Sequence, residues 1–353
     1  MTRLGKAAII GGIGLLVWFA LDLLLMVFAG VLLAIFLRTL AVALARATGL
    51  STGYALASVV FGLIGITVLA GWLYAPRLAE QSDRLTESLP QAVSDLTSRV
   101  QEYGWGRWLI DQVSSTASEG DVVTQAQTMA SRIMSVGVAL VVILFTGLYL
   151  AAEPGPYVRG VLRLVPSASR PQAAELLFTI GGVLQWWLLG QALAMAIVGI
   201  AMGLGLWLIG VQLALILGVL AGLFEFIPFV GPLLAFGPAI LLALANSGEQ
   251  AAYVLGLYLV IQTLEGYVLT PLVQRKAVEL PPVLTIVAQV GLSMAAGAIG
   301  LLVAVPLAAA GMVAIQLLYV EDRLGDDVLG EMREEAQRTV EQERSGMLEG
   351  LLP

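Results

Sequence analysis

Long uninterrupted apolar runs dominate the chain, and the requirement of about 20 apolar residues for a membrane-crossing helix divides them. Residues 7–37 are too long for one upright helix and short for two, with Asp22 near the middle. They read as two short helices meeting near Asp22, which then lies at the outer surface because charge in lipid is rare. Arg38 and Arg46 follow on an interfacial helix, and the next span covers 54–75, ending at Pro76. Further spans fall at 133–152, at about 180–209, and from there to Ile227. After a Pro-Gly break, one span runs through Ala245 and another covers about 251–269. The run 283–319 has the length of two short helices, with Gly297, Gly300 and Pro306 inside it.

Residues 77–131 differ in kind. Leu78, Leu85, Leu89, Val93, Leu96, Val100 and Tyr103 recur at spacings of three, four and seven with charged residues between them, the signature of an amphipathic helix. Trp105 and Trp108 follow beside Gly104 and Gly106, and Trp favours the membrane interface. A second, weakly amphipathic segment covers 121–131. The expected organisation is four-part: N-terminal membrane helices (1–76), an extramembrane helical insert (77–131), the membrane helices of a transport core (132–319), and a charged, helix-prone, partly disordered cytoplasmic tail (320–353). The insert would lie on the membrane, pack on neighbouring subunits, or serve as a solvated cover.

Composition fixes the class. With 59% hydrophobic and 12% charged residues, against about 25% charged in soluble domains, this is an all-α, polytopic membrane protein. Its start has a basic front and an apolar run that continues without an A-x-A-like cleavage site, so a retained first span is expected. With no Cys there are no disulfides or thiolate nucleophiles; with no His there are no His triads and no H-E-x-x-H metal sites. Any proton handling at neutral pH falls to carboxylates in a low-dielectric setting. No phosphate-binding Gly-x-x-x-x-Gly-Lys-Ser/Thr loop occurs, which argues against ATP coupling within the chain. No metal or cofactor is expected. The net charge of −7 is concentrated in 77–121 and after Tyr319, which argues against a nucleic-acid partner. Placing both termini in the cytoplasm gathers Arg3, Lys6, Arg38, Arg46, Arg159, Arg163, Arg170, Arg275 and Lys276 on the inner side. The acidic insert, which carries Arg77, Arg84, Arg99 and Arg107 of its own, then falls outside.

Two carboxylates sit in apolar sequence beside backbone-breaking residues. Glu225 is followed by Pro228, Gly231, Pro232 and Pro238; Glu265 is followed by Gly266 and Pro271. Irregular backbone at membrane depth survives only when packed in protein or facing a water-filled cavity, and broken helices near charge are how many transporters build a midplane site. A lone ionised carboxylate in the hydrocarbon core costs roughly 2.5–3.5 kcal/mol, so each must be protonated, paired or facing water. Glu225 is either a proton or cation site or a hydrogen-bonded brace for the break. Glu265 has Gln262 one helical turn earlier and Thr263 and Thr270 nearby, oxygens suited to a hard cation, a polyhydroxylated solute or an interhelical hydrogen-bond cluster. Gln185 and Gln191 are amides in a span, and Gln191 is added to the candidate pathway. Gly199 with Gly203, and Gly218 with Gly222, are small residues four apart that permit close helix approach. Arg275 and Lys276 gate an anionic solute or simply mark topology. No nucleophile–base–orienter set can be assembled, so no enzyme is assigned.

These segments resemble the AI-2E family of transporters. The marks are GLFEFIPFVGP, IQTLEGYVLTPLV and VELPPVLTIVAQVGLSMAAGAIGLLVAVPLAA, together with the span GQALAMAIVGIAMGLGLWLIGV. Glu225, Pro228, Gly231, Pro232, Gln262, Glu265, Pro271, Leu280 and Pro282 fall on the family's pattern, whereas Gly266 stands where a polar residue such as Asn is expected. The resemblance implies a bacterial inner-membrane secondary transporter of about eight spans, working as a homo-oligomer with a pentamer as the named candidate. It also implies export of a small hydrophilic solute such as autoinducer-2, or alternatively exchange of Na+ or Li+ for H+. A non-transporting membrane scaffold is the rival from another class, and a passive channel is a third. Glu225, Glu265, Gln262, Thr270 and Gln191 would line the pathway. Pro228, Gly231, Pro232, Pro238, Gly266, Pro271, Pro282 and Pro306 would supply its breaks and hinges.

Overall fold

The computed structural model describes residues 3–101, 122–269 and 280–324. Trp105, Trp108, Thr270, Pro271, Arg275, Lys276 and the tail beyond residue 324 lie outside those residues. Every regular element among the described residues is helical: α1 (Arg3–Thr48), α2 (Thr52–Gln101), α3 (Val122–Ala152), α4 (Pro154–Arg163), α5 (Arg170–Leu208), α6 (Ala214–Phe224), α7 (Val230–Asn246), α8 (Gly248–Leu264) and α9 (Pro282–Ile315). Among the described residues five helical stretches are long and apolar enough to cross a membrane, and the apolar end of α3, Gly137–Ala152, passes that test only together with α4, from which it is bent by 94°. Adding the shorter apolar helices α6 and α7 gives eight apolar segments. This is a polytopic helical membrane protein.

Three expectations change. Residues 7–37 are not two helices: α1 runs unbroken, with Asp22 exposed in its middle and Arg38 and Arg46 on the same helix. An aspartate costs a helix only about 0.7 kcal/mol, less than the backbone bonds a break would expose to lipid. The second apolar span, Thr52–Leu73, ends close to Pro76 as expected, but the helix does not: α2 passes through Pro76 and continues to Gln101. The Pro penalty of about 3 kcal/mol is confined to one turn, while apolar sequence before it and the amphipathic stripe after it both favour helix. Pro238 and Pro306 likewise lie inside α7 and α9. The interruptions fall at 225–229 and at Ala296–Gly297, where Gly297 takes φ +59.

The chain divides into two compact units. The first comprises Met1–Phe61, Val138–Leu189 and Val273–Pro353. Within it α1 packs on α3 through small residues: Gly30 lies against Thr146, and Gly147 against Leu33. Ala34, Leu37 and Ala151 form the core there. As expected of 283–319, α9 is two arms. The first is about 21 Å long at 1.5 Å per residue, too short for a hydrocarbon core of ~30 Å. The arms fold back on each other, for Leu280, just before the first, packs with Ala309, Val313 and Leu317 at the far end of the second. Pro282 occupies the first turn of α9, where its missing N–H costs nothing.

The second unit comprises Gly62–Gly137 and Gly190–Leu272. Its core joins the last half of α5 to α6, α7 and α8 through Val198, Met202, Leu206, Leu217, Ala221, Ala235, Ala239 and Val254. The glycines expected to permit close packing do so. A Cβ on Gly218 would stand 2.5 Å from the Gly203 Cα, and one on Gly199 would stand 3.1 Å from the Gly222 Cα. That pairing makes α5 and α6 antiparallel with backbones almost touching. One contact reaches from the amphipathic part of α2: Gln81 Oε1 accepts a hydrogen bond from the Ile216 N–H at 3.1 Å. It caps the first turn of α6, whose own N-cap, Leu213, is left-handed and caps nothing.

Gly218→Val sets a branched side chain against backbone that cannot step aside. It should cost at least about 1–3 kcal/mol, read as a lowered midpoint of thermal unfolding in detergent. Gly237→Ala in α7 meets nothing within 4 Å and should raise stability by up to about 1 kcal/mol. Equal midpoints for the two variants would contradict the helix contact.

Candidate functional site

The break between α6 and α7 begins where apolar helix runs out of regular partners. After Phe224 the bonding shortens: Phe226 N–H donates to the Leu223 carbonyl at 3.3 Å and Ile227 N–H to that of Phe224 at 2.9 Å. Pro228 has no N–H to continue the ladder. Phe229 then takes φ +65, ψ −51, and Val230 N–H donates to the Pro228 carbonyl at 2.8 Å. This is a γ-turn of the rare, strained hand. Gly231 closes the corner, since a Cβ there would collide with the Phe224 carbonyl. Pro228, Gly231 and Pro232 therefore stand in the break and in the first turn of α7.

Glu225 opens that break and is buried at 3% exposure. Its backbone carbonyl accepts a hydrogen bond from Gln191 Nε2, on α5 about two turns beyond Gly199. Gln191 is itself buried, so it answers a carbonyl that the broken helix leaves open. The side chain is not answered in the same way: Glu225 Oε2 is buried and meets no hydrogen-bond donor among the described residues. An oxygen so placed is satisfied by a proton, a cation or a donor group carried in by a solute. α6 rises only about 16 Å from its start to Glu225. That is about half the thickness of a ~30 Å hydrocarbon core.

Glu265 reaches the same level by register. α7 and α8 are joined through Ser247 alone, whose hydroxyl accepts from the Gln250 N–H at 3.1 Å. Phe236 of α7 stacks on Tyr258 of α8 with centroids 4.3 Å apart. Seven residues back from Phe236 is Phe229, and seven residues on from Tyr258 is Glu265, so Glu265 lies level with the γ-turn. Val254, Tyr258, Ile261 and Glu265 fall on one stripe of α8; Val254 and Ile261 are buried, and Tyr258 packs against the same core. At Glu265 the helix widens into a π turn, Glu265–Leu269, a distortion frequent at functional sites. Gly266 lies inside it.

Gln262 is half-buried on α8, and the Thr263 hydroxyl is turned back to the Leu259 carbonyl at 2.7 Å. Thr270 and Pro271 are outside the described residues. Among the described residues no cluster of three acidic ligands forms a metal site. Tyr258 was not among the sequence candidates; its spacing of seven from Glu265 is the signal that points to it. Gln81 had no signal at all, because its partner is 135 residues away.

Antiparallel membrane helices, a half-length helix ending in a strained turn, and two carboxylates at one level define a membrane transport protein by architecture. The chain belongs to the AI-2E family of transporters, whose model matches residues 8–319. It is 26% identical to the candidate permease PerM of Escherichia coli (strain K12) over 320 residues, 85% of this chain and 88% of PerM. It is 24% identical to the candidate transport protein YueF of Bacillus subtilis over 259 residues, 69% of this chain and 70% of YueF. A second Bacillus subtilis protein, the candidate transport protein YrrI, is 29% identical over 143 residues, 40% of each chain. The chain is accordingly a bacterial membrane protein of a transporter family.

Gln191→Leu leaves the Glu225 carbonyl buried without its donor, which should cost about 1–3 kcal/mol. The check is thermal unfolding in detergent, with Thr263→Val as the comparison. An unchanged midpoint for Gln191→Leu would mean that the amide does not hold the break.

Proposed function

We propose that this protein is a secondary transporter of the bacterial inner membrane, with both termini cytoplasmic. It exports a small hydrophilic solute, with autoinducer-2 as the leading substrate. The observation that carries the reading is Glu225 Oε2, buried beside a break in the helix with no hydrogen-bond donor among the described residues. An unanswered oxygen there costs stability unless something occupies it during the working cycle. A solute hydroxyl or a proton both fit. Gln262 and Glu265 offer a further amide and carboxylate on α8, and Gln191 positions the break. The Pro228–Pro232 corner and the Gly266 π turn are the places where backbone can yield. A homo-oligomer, such as a pentamer, is the working assembly.

One observation favours a second reading. Glu225 stands at the break after α6 and Glu265 heads the π turn at the same level, and a cation bound between them would balance both carboxylates. Exchange of Na+ or Li+ for H+ would use the same residues.

Proteoliposomes distinguish these readings. Autoinducer-2 flux and an interior pH dye are followed for wild type, Glu225→Gln and Glu265→Gln, with sodium, lithium or potassium added against an imposed pH gradient. Export predicts solute flux that falls at least about tenfold in Glu225→Gln, equivalent to about 1.4 kcal/mol or more of lost stabilisation. Collapse of the gradient by sodium or lithium, lost in both variants, would replace export with antiport. Full solute flux in correctly assembled Glu225→Gln and Glu265→Gln protein would remove the carboxylates from the mechanism. Flux simply proportional to the gradient would make the protein a passive channel.

A further inference from the structure

The corner between α3 and α4 has no part in the transport reading, yet its chemistry is specific. α3 ends its apolar span at Ala152, and the chain turns by 94° into α4. A helix at right angles to a span lies in the plane of the membrane. Tyr157 and Val161 of α4, and Leu164 just after it, are exposed by 47%, 49% and 85%. At about 100° per residue these three fall on one stripe. Arg159 and Arg163 fall on the opposite side. A short helix with an exposed apolar stripe and arginines on its polar face is built to sit at the headgroup boundary.

The arginines are also gathered at the corner. Arg38, from α1, donates from Nη1 to the Ala151 carbonyl at 3.4 Å. Arg159 lies back along α4, for a Cβ on Gly155 would stand 3.1 Å from its Nη1. The bare glycine leaves room for the guanidinium beside the first turn of α4. Arg170 donates from Nε to the Val165 carbonyl at 3.2 Å, fastening the loop that leads out of α4. Glu153, at the bend itself, is the single acidic residue between Ala152 and Arg170. The Arg38 and Arg159 guanidinium groups thus flank the bend, Arg163 continues the basic face of α4, and the apolar stripe runs along the other side.

We infer that the α3–α4 corner is a binding site for an anionic phospholipid. Its phosphate and acidic headgroup sit against Arg38, Arg159 and Arg163, and its acyl chains lie along Tyr157, Val161 and Leu164. Lipid is named rather than a soluble phosphate because the apolar stripe is contiguous with the basic face and has no protein cover among the described residues.

The test uses the full-length protein in detergent, delipidated and then titrated with phosphatidylglycerol or phosphatidylcholine, with bound lipid counted by native mass spectrometry. Wild type should retain phosphatidylglycerol in preference to phosphatidylcholine. Arg159→Gln with Arg163→Gln should lower that preference on the order of tenfold while leaving phosphatidylcholine unchanged. Val161→Ser with Leu164→Ser should weaken both lipids alike. Arg159→Lys with Arg163→Lys keeps the charge and should keep most of the preference, which separates lost charge from lost folding. Equal retention of the two lipids by wild type, or an undiminished preference in the glutamine pair, would overturn the site. Competition by glycerol phosphate as effective as that by the lipid would overturn the role of the acyl chains.

Discussion

A backbone that stops being helical inside a bilayer has no water to fall back on, and the region around Glu225 is shaped by that constraint. Three of its solutions are visible. Gln191 gives an amide hydrogen to the Glu225 carbonyl. The chain satisfies the next groups with short local bonds ending in a γ-turn. Gly231 removes the atom that would push the corner open. The first solution depends on α5 lying close enough to α6 for an amide to reach, and the glycine pairs 199/222 and 203/218 set that closeness. The packing of small residues and the burial of one carboxylate oxygen are therefore parts of one arrangement.

The sequence carried the class of the fold without difficulty, because the length and apolarity of a span are read directly from residues. It also carried the break, since Pro228, Gly231 and Pro232 have a steric meaning independent of context, and the two-arm nature of 283–319. It misled at Asp22, and at Pro76 it marked the end of the apolar span but not the continuation of the helix. There a locally unfavourable residue was weighed without the cost of opening a helix in lipid, and the continuous helix prevailed. Pro238 and Pro306 were misread as breaks for the same reason.

The site was partly legible. Glu225 and Glu265 declare themselves as carboxylates in apolar surroundings, but their meeting at one level depends on how α7 and α8 pack, which the Phe236–Tyr258 stack reveals. Gln191 was legible as a polar residue in a span, whereas its partner, a carbonyl exposed by the break, was not. Nothing in the local pattern around Gln81 foretells a cap on α6, because such contacts belong to the tertiary arrangement alone.

The joint at Ser247 has a kinematic consequence. With only that residue between them and an aromatic stack further along, α7 and α8 cannot slide past each other, so Glu265 cannot shift its level against the corner by translation. Rotation remains available to it. A π turn holds about one residue more than an α turn, and resolving it into regular helix would swing everything beyond Leu264 by about 100° around the axis. The turn that Glu265 opens is thus held in height by the joint and stores its slack as twist about the helix axis.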